Sequence, residues 1–236
     1  MLKNMVNGTL GKLGYQIIKK GGTGRFNLYN PHYLSKICNP KSIIDVGVGY
    51  GTNPLYKAFP SAYFVLIEPI EEYQRSINKV LAKYKGTVHY KAVGHKNGTL
   101  ELYVDLDNLQ FSSHFERTKL TARKGHRIEK RNIETATLDS LLNPPGTLER
   151  PLILKIDTEG NELNVLKGAS LLLESTDFVI VEASIAKRFE NSYEFDELIT
   201  FMTEKRFKLF SILSIAHPAK EIRPRFADVV FAKCTN

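Results

Sequence analysis

Cysteine is scarce in this chain: Cys38 and Cys234 are the two it has in 236 residues. They lie far apart, without the paired spacing of a zinc site or a disulfide framework, so a reducing, cytoplasmic setting is expected. Long apolar runs are missing too. The start, MLKNMVNGTLGKLGYQIIKKGG, is broken every few positions by Lys, Asn and Gly, which leaves nothing long enough for a secretion signal or a membrane span, and no such stretch follows. No His-rich cluster supports a tight transition-metal site, and no metal is assigned. There is no internal repeat and no low-complexity tract. With 42% hydrophobic and 25% charged residues the composition is that of a folded domain rather than a disordered segment.

Positive charge is in excess. Lys and Arg total 33 against 25 Asp and Glu, a net charge of +8, which favours anionic partners such as phosphorylated sugars, lipid headgroups or nucleic acid. The cations are scattered and densest from Lys119 to Arg131. They lack the interleaved aromatics of a nucleic-acid stripe, so a solvated basic face is the first reading and RNA the minor one.

Residues 1–40 read as a basic, partly helical extension closed by Asn39-Pro40: a lid, a dimer contact or a helix on a membrane surface. From residue 41 to 236 the pattern is that of an α/β domain. Short β-branched runs (Ser42 to Val46, Ala62 to Ile67, Thr87 to Tyr90, Leu152 to Ile156, Phe178 to Val181) alternate with helical segments, which predicts a parallel sheet with right-handed crossovers. Thr99 to Val104 alternates like a half-exposed strand. A polar loop is expected from Asp105 to Lys130, a helix around Tyr193 to Lys205, and a last pair of strands near Lys208 to Leu213 and Asp228 to Ala232.

The densest chemical signal follows the first strand: Asp45-Val46-Gly47-Val48-Gly49-Tyr50-Gly51. Glycines there let the backbone turn sharply and let a ligand lie against it. The spacing is not the G-x-G-x-x-G of a dinucleotide fold, and Asp45 precedes the first glycine, where it would oppose a pyrophosphate and favour an ammonium or a sulfonium, as in S-adenosylmethionine. Bracing the loop is the plainer role for Asp45. Glu68 ends the second strand at the distance where an acid grips ribose hydroxyls; capping the next helix beside Pro69 is the alternative. Ala92 and Val93 are small enough for an adenine to lie against. Lys155-Ile156-Asp157-Thr158-Glu159-Gly160-Asn161-Glu162 then places several acids at the carboxyl edge of the sheet, where they call for a cation, a metal or a proton-transfer task.

With these segments in their order, the sequence resembles the FkbM family of S-adenosylmethionine-dependent methyltransferases. The resemblance rests on IIDVGVGYGTN, FPSAYFVLIEP, YKAVGHKNGTLELYV, Phe111-Ser112-Ser113, TLDSLL, LKIDTEGNELNVLKGA and VIVEAS, and it covers about residues 41 to 190. It implies a class I methyltransferase fold, Rossmann-like and doubly wound, with a mostly parallel seven-stranded sheet whose last strand is antiparallel. It also implies that Asp45, Gly47, Gly49 and Gly51, with Val48 and Tyr50 between them, line the methionine end of the cofactor. Glu68 and Pro69 would flank the ribose, Ala92 and Val93 the adenine, and Asp157 the departing methyl group. The family usually has Ala-Asn after the first glycine, where this chain has Val48-Gly49-Tyr50. The implied activity is O-methylation of a sugar, glycolipid or related small molecule, including an anionic one. An alcohol needs help losing its proton, and the residues in line for that are Asp157, then Glu159, Glu182 and His114. Against them stand plainer roles: Glu159 as a helix cap, Glu182 paired with a cation, His114 as a loop histidine. An RNA methyltransferase and a nicotinamide-dependent oxidoreductase are the competing readings, the latter lacking its glycine spacing.

Overall fold

The computed structural model describes residues 27–122, 124–143, 148–218 and 221–234. The strands fall mostly where apolar runs are bounded by turn residues. They are β1 (Ser42–Val46), β2 (Tyr63–Ile67), β3 (Gly86–His89), β4 (Ala92–Val93), β5 (Gly98–Asp105), β6 (Ile128–Ala136), β7 (Leu152–Ile156), β8 (Phe178–Ser184), β9 (Phe207–Ala216) and β10 (Phe226–Lys233). Helices α1 (Pro31–Leu34), α2 (Asn53–Ala58), α3 (Gln74–Leu81), α4 (Leu138–Leu141), α5 (Glu162–Lys167), α6 (Leu172–Ser175) and α7 (Phe195–Glu204) connect them. Their ends follow local chemistry. Asn30 accepts from the Tyr33 N–H ahead of Pro31 in α1, Thr137 accepts from the Ser140 N–H at α4, and Glu194 with Glu197 forms a capping box on α7.

Seven strands form the main sheet in the order β3-β2-β1-β7-β8-β10-β9. β3, β2, β1, β7 and β8 pair in parallel, while β10 runs antiparallel to both of its neighbours. This is the doubly wound, mostly parallel α/β architecture. Its two apolar layers follow the pleat. Ile44, Val46, Leu154, Ile156, Val179 and Val181 face one core, with α5, α6 and α7. Ile43, Ile153, Ile180 and Val230 face the other, with Tyr56, Ile77 and Leu34. By the same period of two, Asp45, Lys155, Glu182 and Asp228 stand on the second face, at or near the carboxyl ends of the parallel strands.

Residues 27–40 pack on this second face. Asn27 bridges to Ser214, Leu28 donates its N–H to the Leu213 carbonyl, and Leu34 is fully buried. The portion of the expected extension from 1 to 26 lies outside the described residues. One expectation changes. The end of the expected loop, residues 128–130, is not loop but the start of the nine-residue strand β6, antiparallel to β5. With β4 these two make a second, three-stranded sheet in the order β4-β6-β5. The reason is pairing: Glu129, Lys130, Asn132 and Glu134 of β6 remain at the surface while its backbone is satisfied by β5.

Candidate functional site

The carboxyl ends of β1, β2, β7 and β8 and the second sheet enclose a cavity of about 420 Å³, within the size range of small-molecule sites. Its floor is the loop after β1. Gly47 donates to the Ile67 carbonyl at 3.0 Å, Asp157 to the Val46 carbonyl at 3.0 Å, and Gly51 closes a turn on the Val48 carbonyl at 2.8 Å. Gly47 has φ +75°, and a Cβ there would lie 1.8 Å from the Asp157 carbonyl oxygen. Only glycine lets these two chain segments touch.

Most residues singled out in the sequence converge here. Gly47, Val48, Gly49, Tyr50 and Gly51 line the cavity, as do Glu68, Pro69, Ala92 and Val93. So do Asp157, Glu159, Glu182 and His114. Asp45 does not: it is fully buried behind the loop, where it accepts from the Tyr56 hydroxyl at 2.5 Å and lies 3.0 Å from Lys155 Nζ. Glu68, also buried, accepts from the Gly49 N–H at 2.8 Å through one oxygen and from the Ile70 N–H at 3.0 Å through the other. Tyr50 is largely exposed at the rim, edge-on to Tyr73 at 4.9 Å between centroids.

The three acids of the far wall differ in their partners. Glu159 lies 3.3 Å from Arg117 and 3.5 Å from Arg188, and Glu182 accepts from Arg188 at 2.6 Å. Glu159 does not cap α5; instead Glu162 reaches back to accept from the Thr158 and Gly160 N–H groups, each at 3.0 Å. Burial pushes the carboxyls of Glu159, Glu162 and Glu182 above their ordinary values, with Arg188 opposing the shift. Asp157 keeps 38% of its side chain exposed, and among the described residues its one ion-pair partner is Lys155, at 3.7 Å. His114 faces the Glu101 carbonyl through Nδ1 at 2.8 Å. Sequence reasoning gave no site role to Lys155, Arg188, Asp228, Tyr73, Leu109, Gln110 or Phe111, the last of which it used only for the resemblance. A charge inside the apolar run LILKI was the one available signal, since a buried ammonium needs a partner.

The profile of the FkbM methyltransferase domain matches residues 45–209. The chain belongs to the FkbM methyltransferase family. Hexuronic acid methyltransferase AglP of Haloferax volcanii is 38% identical over 71 residues, 29% of each chain. This chain thus spans under a third of the length of that curated relative. TehB of Haemophilus influenzae aligns at 12% identity with a TM-score of 0.46, covering 86% of this chain and 61% of that one. Magnesium protoporphyrin IX methyltransferase of Synechocystis PCC 6803 aligns at 11% with a TM-score of 0.42, covering 81% and 69%.

FkbM enzymes take their methyl group from S-adenosylmethionine, and the chemistry of the cavity fits that compound. The acids outnumber the cations on the walls, which suits a ligand carrying an ammonium and a sulfonium. Lys91 and Lys155 line the cavity, but each lies beside a carboxylate, Glu134 at 2.7 Å and Asp45 at 3.0 Å. Among the described residues the one group with metal-ligating geometry is Asp105, Asp107 and His126. It is already knit together: Asp105 faces His126 at 2.6 Å, and Asp107 pairs with Arg127 at 2.7 Å. No helix of the described residues is long and apolar enough to cross a membrane.

Glu68 yields a pH prediction. Burial pushes its carboxyl from 4.5 up to about 7, against the pull of the Gly49 and Ile70 N–H groups. The folded chain therefore holds a proton that the unfolded chain releases. The stability this contributes is complete below about 4.5 and is lost as pH rises through about 7. At about 1.4 kcal/mol per unit, the loss across that window is roughly 3 kcal/mol. Urea denaturation of the parent and of Glu68→Gln at both ends of the window measures it: the parent is expected to lose that much more than the variant. Equal losses would show that Glu68 does not titrate there.

Proposed function

We propose that this FkbM chain methylates a hydroxyl oxygen of a sugar, glycolipid or related polyhydroxylated compound, with S-adenosylmethionine as donor. When bound, the donor supplies an electrophilic methyl group on a sulfur that leaves as a neutral thioether. Gly47, Val48, Gly49, Tyr50 and Gly51 would hold its methionine end. Glu68 would take the ribose hydroxyls, its two oxygens retaining lone pairs after the backbone bonds. Pro69, Ala92 and Val93 would flank the adenine. The chain's remaining work is to align an acceptor oxygen and receive its proton.

The observation that favours an oxygen acceptor is the placement of Asp157. It is the wall carboxylate with no guanidinium beside it among the described residues, so it is the one available to take a proton. Glu159 and Glu182, held by arginines, would shape the pocket, and His114 would stand at its edge. A hexuronic acid methyltransferase among the relatives agrees with a sugar acceptor. Because the wall is acidic, any anionic group on the acceptor would lie away from it. Within the basic stretch Arg127 pairs with Asp107, Lys130 with Glu101, and Arg131 with Glu72 and Glu129, while Lys119 and Lys124 are exposed. Arg123 lies outside the described residues.

Calorimetry with S-adenosylmethionine, followed by labelled methyl transfer to sugars, nucleotide sugars, glycolipids and RNA, tests this reading. Binding in the micromolar range and transfer to a sugar hydroxyl are expected, micromolar being about 8 kcal/mol. Absence of binding, or transfer to RNA alone, would overturn it.

A further inference from the structure

We propose that Lys155 is a positioning residue that registers the glycine loop against Asp157 and thereby shapes the methionine end of the donor site; this rests on the S-adenosylmethionine reading above. Its side chain is 4% exposed, near the carboxyl end of an apolar strand, where a lysine is rare unless paired. One ammonium group makes three contacts. Nζ donates to the Gly47 carbonyl at 3.0 Å, lies 3.0 Å from Asp45 Oδ1 and 3.7 Å from Asp157 Oδ2.

Only the contact with Asp45 is internal to the sheet, since Asp45 and Lys155 are register partners on β1 and β7. A buried ion pair of that kind is commonly replaceable by apolar side chains without loss of stability, so the fold alone gives little reason for it. The other two contacts lead outward. One goes to the carbonyl of the residue that opens the glycine loop, the other to the carboxylate on the cavity wall. Gly47 and Asp157 also meet through their backbones, at a contact too close for any Cβ. The ammonium thus fastens the underside of the same junction. Burial opposes its charge, but Asp45 and Asp157 outweigh burial and hold it protonated. Tyr56 completes the set by donating to the second oxygen of Asp45. Asp45 therefore serves Lys155, and through it the loop, without reaching the cavity itself.

The double variant Asp45→Asn/Lys155→Met removes both charges together and leaves no ion unpaired in the core. Calorimetry would compare S-adenosylmethionine with 5′-methylthioadenosine, which keeps the nucleoside and sulfur but lacks the amino acid. The variant is expected to lose about tenfold in affinity for S-adenosylmethionine, the scale of one charged hydrogen bond, and less than about threefold for the truncated ligand. Parent-like affinity for both ligands, or an equal loss for both, would overturn the proposal while the parent's own binding keeps the functional reading intact. If the parent itself fails to bind S-adenosylmethionine, the functional reading falls and this proposal with it. Lys155→Arg keeps the counter-charge for Asp45 and carries the same comparison should the double variant not fold: the same selective loss is expected, and parent-like affinity for S-adenosylmethionine would overturn the proposal.

Discussion

Asp157→Asn is expected to lower kcat by roughly 10²- to 10⁴-fold, the range associated with losing a general base, while S-adenosylmethionine affinity changes by less than about tenfold. The amide has the carboxylate's shape, and the backbone contacts of residue 157, to the Val46 carbonyl and to Gly47, do not involve the side chain. What disappears is the proton acceptor. Single-turnover methyl transfer to the acceptor found with the parent, paired with calorimetry, separates the two effects. Glu182→Gln is the contrast. Arg188 is 4% exposed and bonded to Glu182 at 2.6 Å, so weakening that pair lowers the melting temperature as well as activity. Turnover by Asp157→Asn within a few-fold of the parent would remove Asp157 from the proton transfer.

Gly47→Ala is expected to abolish measurable S-adenosylmethionine binding, a loss beyond about 100-fold. The left-handed backbone costs about 1–2 kcal/mol for a residue with a Cβ. The contact with the Asp157 carbonyl costs more, because 1.8 Å cannot be relieved by a side-chain rotation. Either the loop lifts away from β7 or β7 shifts, and both displace the cavity floor. Calorimetry on the folded variant, with circular dichroism to establish that the sheet persists, measures the loss. Gly49→Ala provides the comparison, since the nearest neighbours of its Cβ, atoms of the Tyr73 ring, lie at 3.8 and 3.9 Å and strain from φ +53° is the main cost. Its effect is expected to be clearly smaller. Equal affinities for the parent and Gly47→Ala would mean the loop does not hold the donor.

The main sheet was legible because its strands carry their own signature. SIIDV, YFVLI and LILKI are short runs of Ile, Val and Leu closed by Gly, Pro or Asp, and a parallel strand buried on both faces reads in that way. β6 carries no such signature. Ile128 and Ile133 are five apart with Glu, Lys, Arg and Asn between them, and the cations that suggested a loop are cross-strand partners. Lys130 lies opposite Tyr103, with its ammonium 4.9 Å from that ring, and pairs with Glu101. Asp45 shows a different limit. Its proximity to the glycine loop in sequence suggested a ligand contact, whereas its environment depends on Lys155, which the sheet places beside it from 110 positions away. Residue type and local spacing reveal which groups gather at a strand end; which of them faces the ligand depends on a partner strand far along the chain.

The second sheet contributes Leu100 and Leu102 and, through the segment after β5, Phe111 and Ser112 to the cavity, while the glycine loop, Glu68 and Asp157 all belong to the main sheet. Apart from Ala92 and Val93 of β4, the residues assigned to the donor therefore rest on a different scaffold from β5 and the segment after it. Evolution can rework the hairpin of β5 and β6 to admit a new substrate without disturbing the part of the protein that every such reaction shares, so diversification within such a lineage should concentrate between residues 98 and 136.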